Sequence, residues 1–225
     1  MAGMDAGPGT DLGALGWFVG VWVTMMAAMM LPSALPMVVL YSRTARGRPL
    51  DTIGFVCGYL AIWTMYGLVA YGTYRLLVAT AGGILAWHRS GPLVAGAAIA
   101  AAGLYQLTPL KARCLRHCRS PLHFILQRWR KGPLGGVRMG ARHGAYCVGC
   151  CWGLMLALFA LGVMSIFWMA LIAAVIFVEK LLPGGERVSR ALALGLVAVG
   201  IWVAAAPGSV PHLTQPGSAH MQRMG

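Results

Sequence analysis

The stretch from His143 to Trp152, His-Gly-Ala-Tyr-Cys-Val-Gly-Cys-Cys-Trp, opens a long apolar run and carries three of the six cysteines. Cys147, Cys150 and Cys151 are spaced i, i+3 and i+4, so on an α-helix their thiols share one face. One such helix can present three soft ligands to a single ion. The stretch therefore predicts a helical, thiol-bearing element around which the rest of the chain is arranged.

A second pair of cysteines lies about thirty residues earlier. Cys114 and Cys118 are spaced i, i+4 and share a face if this segment is helical, with His117 beside it. The arginines interspersed among them would offset the negative charge of a site made of several thiolates. The two clusters are expected to meet at one metal or redox centre.

The composition places the chain in the membrane class. Hydrophobic residues make up 59% and charged residues 10% of the sequence, and the mean hydropathy is +0.72. A helix needs roughly 20 mostly apolar residues to cross a bilayer. The sequence predicts an all-α, polytopic transmembrane bundle of about six spans, at 13–41, 52–79, 92–108, 144–161, 164–182 and 188–206.

The distribution of the basic residues predicts the orientation of these spans. Fifteen of the 18 lysines and arginines fall on one side when the six spans are numbered in order, nine of them in the loop 109–143. By the positive-inside rule this loop is cytoplasmic and both termini lie outside. The net charge of +13 therefore indicates topology and contact with the lipid bilayer, and no nucleic-acid-binding motif accompanies it.

The first span is rich in methionine. On a helix, Met26, Met30 and Met37 lie along one face. Two interpretations stay open: gap-filling apolar packing, and a ladder of thioethers for a soft ion such as Cu(I). The methionines concerned are Met25, Met26, Met29, Met30 and Met37.

Prolines and isolated polar residues add further expectations. Pro32 and Pro36 each remove a helical hydrogen bond, which predicts a kink or an unwound turn. Glu179 lies at a membrane boundary, where a carboxylate is costly unless it is paired, so it is a candidate to balance charge or carry a proton. Cys57 is expected to be a small buried residue. Residues 1–206 are predicted to form one transmembrane domain, followed by a disordered tail at 207–225.

A cytoplasmic position of the cysteines favours metal binding or redox chemistry over a structural disulfide. Cys147 and Cys150 fit the C-x2-C spacing of zinc sites, whereas Cys114 and Cys118 fit it loosely. Five thiols beside a methionine-lined helix favour Cu(I), with zinc as the alternative.

Three blocks of the sequence resemble a known family. They are 25–37, 105–121 and 144–180, with Cys-Val-Gly-Cys-Cys-Trp and Val-Glu-Lys in the last. The chain is similar to the bacterial multi-pass proteins catalogued as predicted metal-binding integral membrane proteins, domain of unknown function 2182. The resemblance implies a helical protein of the bacterial inner membrane, with a metal site at matching Met, Cys, His and Glu positions that include His117, His143 and Glu179.

These observations predict a membrane protein that binds Cu(I) for transport or delivery across the inner membrane. The methionines would guide the ion and the cysteines would hold it at the cytoplasmic face. Without a Walker motif or a phosphorylation loop, active pumping by this chain alone is not expected. One alternative is a membrane thiol oxidoreductase that uses the cysteine pairs; another is an accessory subunit with a membrane protein partner or a second copy of itself.

Overall fold

A computed structural model describes residues 14–45, 48–81, 91–128, 134–161, 166–182 and 185–206. No strand occurs among these residues, which confirms the all-α fold class. Each of the six predicted apolar segments falls on a helix, and two shorter helices lie between the third and fourth. The helices are α1 (Leu15–Thr44), α2 (Pro49–Ala81), α3 (Gly91–Tyr105), α4 (Pro109–Arg119), α5 (Pro121–Arg128), α6 (Gly135–Leu161), α7 (Ile166–Leu181) and α8 (Gly185–Ala205).

Three of the described helices, α1, α2 and α8, are long and apolar enough to cross a membrane. A fourth crossing results if α3 and α4 form one span, because the two helices are separated by a short break and bent by 65°. With its 16 residues, α7 is shorter than the roughly 20 residues of a typical span. The predicted tail at 207–225 lies outside the described residues.

Close backbone contact between α2 and α6 depends on glycine. A Cβ added at Gly140 would collide with the carbonyl of Phe55, and one at Gly58 would collide with the carbonyl of Val137. A Cβ at Gly144 would lie 3.0 Å from the carbonyl oxygen of Tyr59. Small residues let apolar helices approach closely in this way, so these glycines fix α6, which carries the three cysteines, against α2.

Residues 132–140, which the sequence presents as a glycine-rich link, are helical from Gly135 onward. The glycines are needed there because the first turns of α6 pack directly on the backbone of α2, as the contact between Gly136 and the carbonyl of Asp51 shows. The fourth apolar segment therefore begins nine residues earlier than the predicted span at 144.

The basic segment after α3 forms two short helices that pack beside α6. Thr108 caps α4 by accepting a hydrogen bond from the backbone N–H of Lys111 at 3.4 Å, and Pro109 occupies the first helical turn, where its missing N–H costs nothing. Pro121 begins α5. Ser120 therefore separates α4 from α5. The helix α4 packs against α6, which carries the three cysteines.

The helix α1 continues through both of its prolines, Pro32 and Pro36. Of the two predicted outcomes, a kink or an unwound turn, unwinding does not occur. The side chains of Trp22, Met26 and Met30 are all buried on one face of the helix. The central core is formed by this face of α1 together with the inward faces of α2, α3, α6, α7 and α8.

Candidate metal centre

Three thiols converge at the centre of the helical core. The Sγ atoms of Cys147, Cys150 and Cys151 all lie within 4.8 Å of one another, and those of Cys150 and Cys151 are 3.2 Å apart. The three residues are at most 2% exposed. The i, i+3, i+4 spacing predicted a shared helical face, and the structure confirms that this face is buried. We call these three residues the thiol cluster.

The sulfur atoms of the thiol cluster are close enough together to bind a single metal ion. With metal–sulfur bonds of about 2.3 Å, two sulfurs on opposite sides of an ion lie roughly 4.6 Å apart, and three in a plane lie roughly 4.0 Å apart. The Sγ atoms of the thiol cluster, all within 4.8 Å of one another, are therefore close enough for one ion to contact all three. The donors are all soft, which is the ligand type that selects Cu(I).

A buried lysine lies against the thiol cluster. The Nζ of Lys180 donates hydrogen bonds to the Sγ of Cys147 at 3.0 Å and to the Oγ of Ser33 at 3.1 Å. The hydroxyl of Tyr59 lies 3.0 Å from the same sulfur. Cys147 is therefore surrounded by an ammonium group and a hydroxyl, an arrangement that stabilises a thiolate at this position.

The two cysteines of α4 face the same part of α6. The Sγ of Cys118 lies 3.9 Å from the Sγ of Cys150, and a Cβ at Gly149 would lie 2.7 Å from the Sγ of Cys114. Both α4 cysteines are partly exposed. The structure thus brings the two predicted cysteine clusters together and places Cys118 between the buried thiols and the surface.

The histidines do not join the thiol cluster. His117 uses its Nδ1 for a 2.9 Å hydrogen bond with the carbonyl of Arg113, and its ring stacks on Tyr146 with centroids 4.3 Å apart. His143 lies one turn before Cys147 and is 2% exposed. Its Nδ1 has no hydrogen-bond partner among the described residues, which is unusual for a buried polar atom.

The methionines of α1 separate into groups. Met26 and Met30 are fully buried and belong to the same apolar core as the thiol cluster. Met29 is nearly buried and Met25 partly buried in that core. Met37 packs elsewhere, in a smaller cluster with Phe55, Phe124 and Met139 among others. The predicted thioether face therefore divides, with Met26 and Met30 on the side of the thiols and Met37 away from them.

Glu179 is engaged in a buried ion pair on another side of α7. Its Oε1 accepts hydrogen bonds from the Nζ of Lys111 at 2.6 Å and from the hydroxyl of Ser189 at 2.7 Å. Lys111 also donates to the side-chain carbonyl of Gln106. Both partners of the ion pair are almost fully buried. Glu179 thus links α7 to α4 and α8, and is not part of the group of three thiols.

Sequence reasoning missed the residues that surround the thiols. Lys111 counted only as a basic residue in the topology argument, Lys180 also belonged to the Val-Glu-Lys block, and Tyr59 and Ser33 carried no motif. A lysine next to a glutamate at a membrane boundary was the one available signal for a buried charged site. Cys57, which was expected to be buried, is exposed on α2.

Comparison with known proteins bears on what this centre holds. Residues 19–203 match the model of a family described as PpoB2, copper chaperone. The match covers most of the chain and includes the thiol cluster, Lys180 and the methionines of α1. No curated protein and no solved structure matches the chain.

Proposed function

Since this chain belongs to the PpoB2 copper chaperone family, we propose that it holds one Cu(I) ion at the thiol cluster and passes it on within a membrane. The observation that carries the proposal is the group of three soft donors buried together, within 4.8 Å of one another. Burial protects Cu(I) from water and oxidants, and thiolates bind soft monovalent ions in preference to hard ones.

The charges around the thiol cluster match a monovalent ion. Two thiolates and Cu(I) carry a net charge of −1, and the ammonium group of Lys180, 3.0 Å from Cys147, brings the total to zero. A neutral total matters because an unpaired charge is very costly in a buried site. Zinc prefers four ligands in a tetrahedron, and four thiolates around Zn(II) beside Lys180 would leave a net charge of −1.

Cys118 provides a route for the ion between the buried site and the surface. Its sulfur is 3.9 Å from that of Cys150 and lies on a partly exposed helix. A Cu(I) ion bound by two thiolates can take a third, and then release one of the first two, without ever being free. Cys118 would receive the ion from Cys150 in this way, and Cys114, one turn away on α4, would extend the route.

The membrane arrangement belongs to the same proposal. Six spans with both termini outside would place the α4 cysteines at the cytoplasmic face of the bacterial inner membrane. A position in the bilayer is supported by the length and apolar character of α1, α2 and α8, and of the α3–α4 pair taken as one span. The orientation is supported by the concentration of basic residues in 109–143. The chain would then deliver copper between this face and the membrane interior.

The thiol oxidoreductase alternative receives less support from the geometry. A redox thiol must be reached by the thiolate or disulfide of its substrate, whereas the three thiols of the cluster are at most 2% exposed. A role as an accessory subunit is compatible with copper binding, because a chaperone must meet the protein that accepts its metal.

Metal content separates these possibilities. Protein purified without chelator under anaerobic conditions is expected to bind one Cu(I) tightly in competition with a chromogenic Cu(I) chelator. The variant Cys147→Ser/Cys150→Ser/Cys151→Ser should lose this ion, whereas Cys57→Ser, which changes an exposed cysteine on α2, should keep it. Tight binding that survives the triple substitution, or a wild-type protein that binds no Cu(I), would refute the proposal.

A further inference from the structure

A groove between α1 and α7 has three methionine side chains in its wall, and we propose that it is a second Cu(I) site, made of thioethers. Met25 and Met29 come from consecutive turns of α1, and Met169 comes from α7. The groove has a volume of about 580 Å³. The inference rests on the proposed copper function and adds a separate binding site to it. One of the ligands of this site, Met169, was not identified from the sequence.

The composition of the groove selects for a soft monovalent ion. Thioether sulfur is a neutral, soft donor that suits Cu(I). No charged side chain lines the groove, so nothing in its wall compensates a divalent ion for the loss of its water shell. Gly16 and Gly20, which also line it, have open space where a Cβ would be. The groove is therefore open at this end of α1, more than one turn before Met25.

The groove lies at one level of α1 and α7. The residues of these two helices next to the thiol cluster, Ser33 and Lys180, lie at another level. The first half of α1 packs near Met169, and its second half, around Pro36, lines another groove with Phe177 and Leu181. The two helices therefore run parallel. Met169 precedes Lys180 by 11 residues, which corresponds to about 16 Å along a helix.

The helix α1 connects the two levels with further thioethers. Met26 and Met30 are buried in the core that contains the thiol cluster, and Ser33, one turn beyond Met30, contacts Lys180. An ion entering at the groove would thus meet neutral thioethers first and negatively charged thiolates last. Because thiolates attract the cation more strongly than neutral sulfur does, the order of ligands favours movement towards the cluster.

Copper stoichiometry under anaerobic conditions tests the groove. The wild-type protein is expected to bind two Cu(I) ions, the second more weakly, and Met25→Leu/Met29→Leu/Met169→Leu should bind only the tight one. Met65→Leu, which changes an exposed methionine on α2, is the matched control and should still bind two. A single ion in the wild-type protein, or two ions in the triple leucine variant, would overturn the inference.

A second measurement avoids dependence on the folding of the triple variant. In wild-type protein labelled with ¹³C in the methionine methyl groups, the second equivalent of Ag(I), a redox-inert stand-in for Cu(I), should shift the Met25, Met29 and Met169 signals. Unchanged signals would count against the groove. Failure of the thiol cluster gives a different result, since the Cys147→Ser/Cys150→Ser/Cys151→Ser variant should keep the weak ion and lose only the tight one.

Discussion

The ammonium group of Lys180 is buried 3.0 Å from the sulfur of Cys147, so the three thiols share their site with one fixed positive charge. Replacing this lysine by leucine leaves the copper-loaded site with a net negative charge in an apolar core and adds no metal ligand. We expect Lys180→Leu to weaken Cu(I) binding about 10- to 100-fold, the usual effect of removing a group that supports metal ligands. Chelator competition measures the change.

Two further variants show whether charge causes that loss. Lys180→Arg keeps the charge and should retain more of the affinity than Lys180→Leu does. Arg190→Leu removes a positive charge from an exposed position on α8 and should leave the affinity unchanged. Equal affinities for Lys180→Leu and the wild-type protein would show that the lysine does not balance the charge of the site.

The buried pair of Lys111 and Glu179 is expected to contribute to stability and not to metal binding. Glu179→Gln leaves the charge of Lys111 buried without a counter-charge, and should cost about 3–5 kcal/mol in the free energy of unfolding. The double variant Lys111→Met/Glu179→Leu should cost less, because neither charge remains. Thermal unfolding in detergent compares the variants. Loss of the tight Cu(I) ion from Glu179→Gln in folded protein would instead make Glu179 a ligand.

Close packing of α6 on α2 should make Gly140 intolerant of any side chain. The added methyl group of Gly140→Ala meets the backbone of Phe55, which cannot move aside as a side chain can, and should destabilise the protein by about 1–3 kcal/mol. Gly72→Ala is the matched control, since a Cβ at this position of α2 meets nothing within 4 Å. If both variants unfold at the same temperature, the helices can separate without cost.

Cys118 should control how fast the ion leaves and not how many ions bind. In Cys118→Ser the tight Cu(I) ion should remain, because the thiol cluster is intact, but its removal by a competing chelator should slow down. Stopped-flow mixing with the chelator gives the rate, and Cys57→Ser should release copper as fast as the wild-type protein. An unchanged rate in Cys118→Ser would place the exit route elsewhere.

The orientation in the membrane can be tested with single-cysteine variants. A protein that retains only Cys114 should react with a membrane-impermeant thiol reagent in inverted vesicles and stay unlabelled in intact spheroplasts. Arg75→Cys in a cysteine-free background, at an exposed position near the end of α2, should show the reverse. If Cys114 is labelled in spheroplasts, the orientation is opposite to the one proposed.

The sequence predicted those features that depend on local spacing. A helical period sufficed to place Cys147, Cys150 and Cys151 on one face, and runs of apolar residues located the long helices. A meeting of the two cysteine clusters was expected, because both were assigned to the cytoplasmic side, but the particular contact of Cys118 with Cys150 was not.

Features that depend on contacts between distant segments could not be predicted in the same way. The partner of Glu179 is a lysine 68 residues away, and the partner of Lys180 is a thiol 33 residues away; neither spacing carries a signal. The sequence presents residues 132–140 as a Gly-rich link, and only the position of α2 shows why Gly136 and Gly140 must lack side chains.

Glu179 and Lys180 are adjacent in sequence but contact groups of opposite charge type on different helices. Glu179 accepts a hydrogen bond from Lys111 on α4, and Lys180 donates one to the sulfur of Cys147 on α6. Successive residues of an α-helix point about 100° apart, so inserting one residue in α7 before Glu179 would put the carboxylate where Lys180 now faces the thiols, whereas deleting one would turn Lys180 away from them. After such an insertion, the negative charge would repel the thiolates that we propose hold the ion. The length of α7 is thus constrained by the sign of the charge at each of two positions, and apolar substitutions along it should be tolerated more readily than any change in residue count.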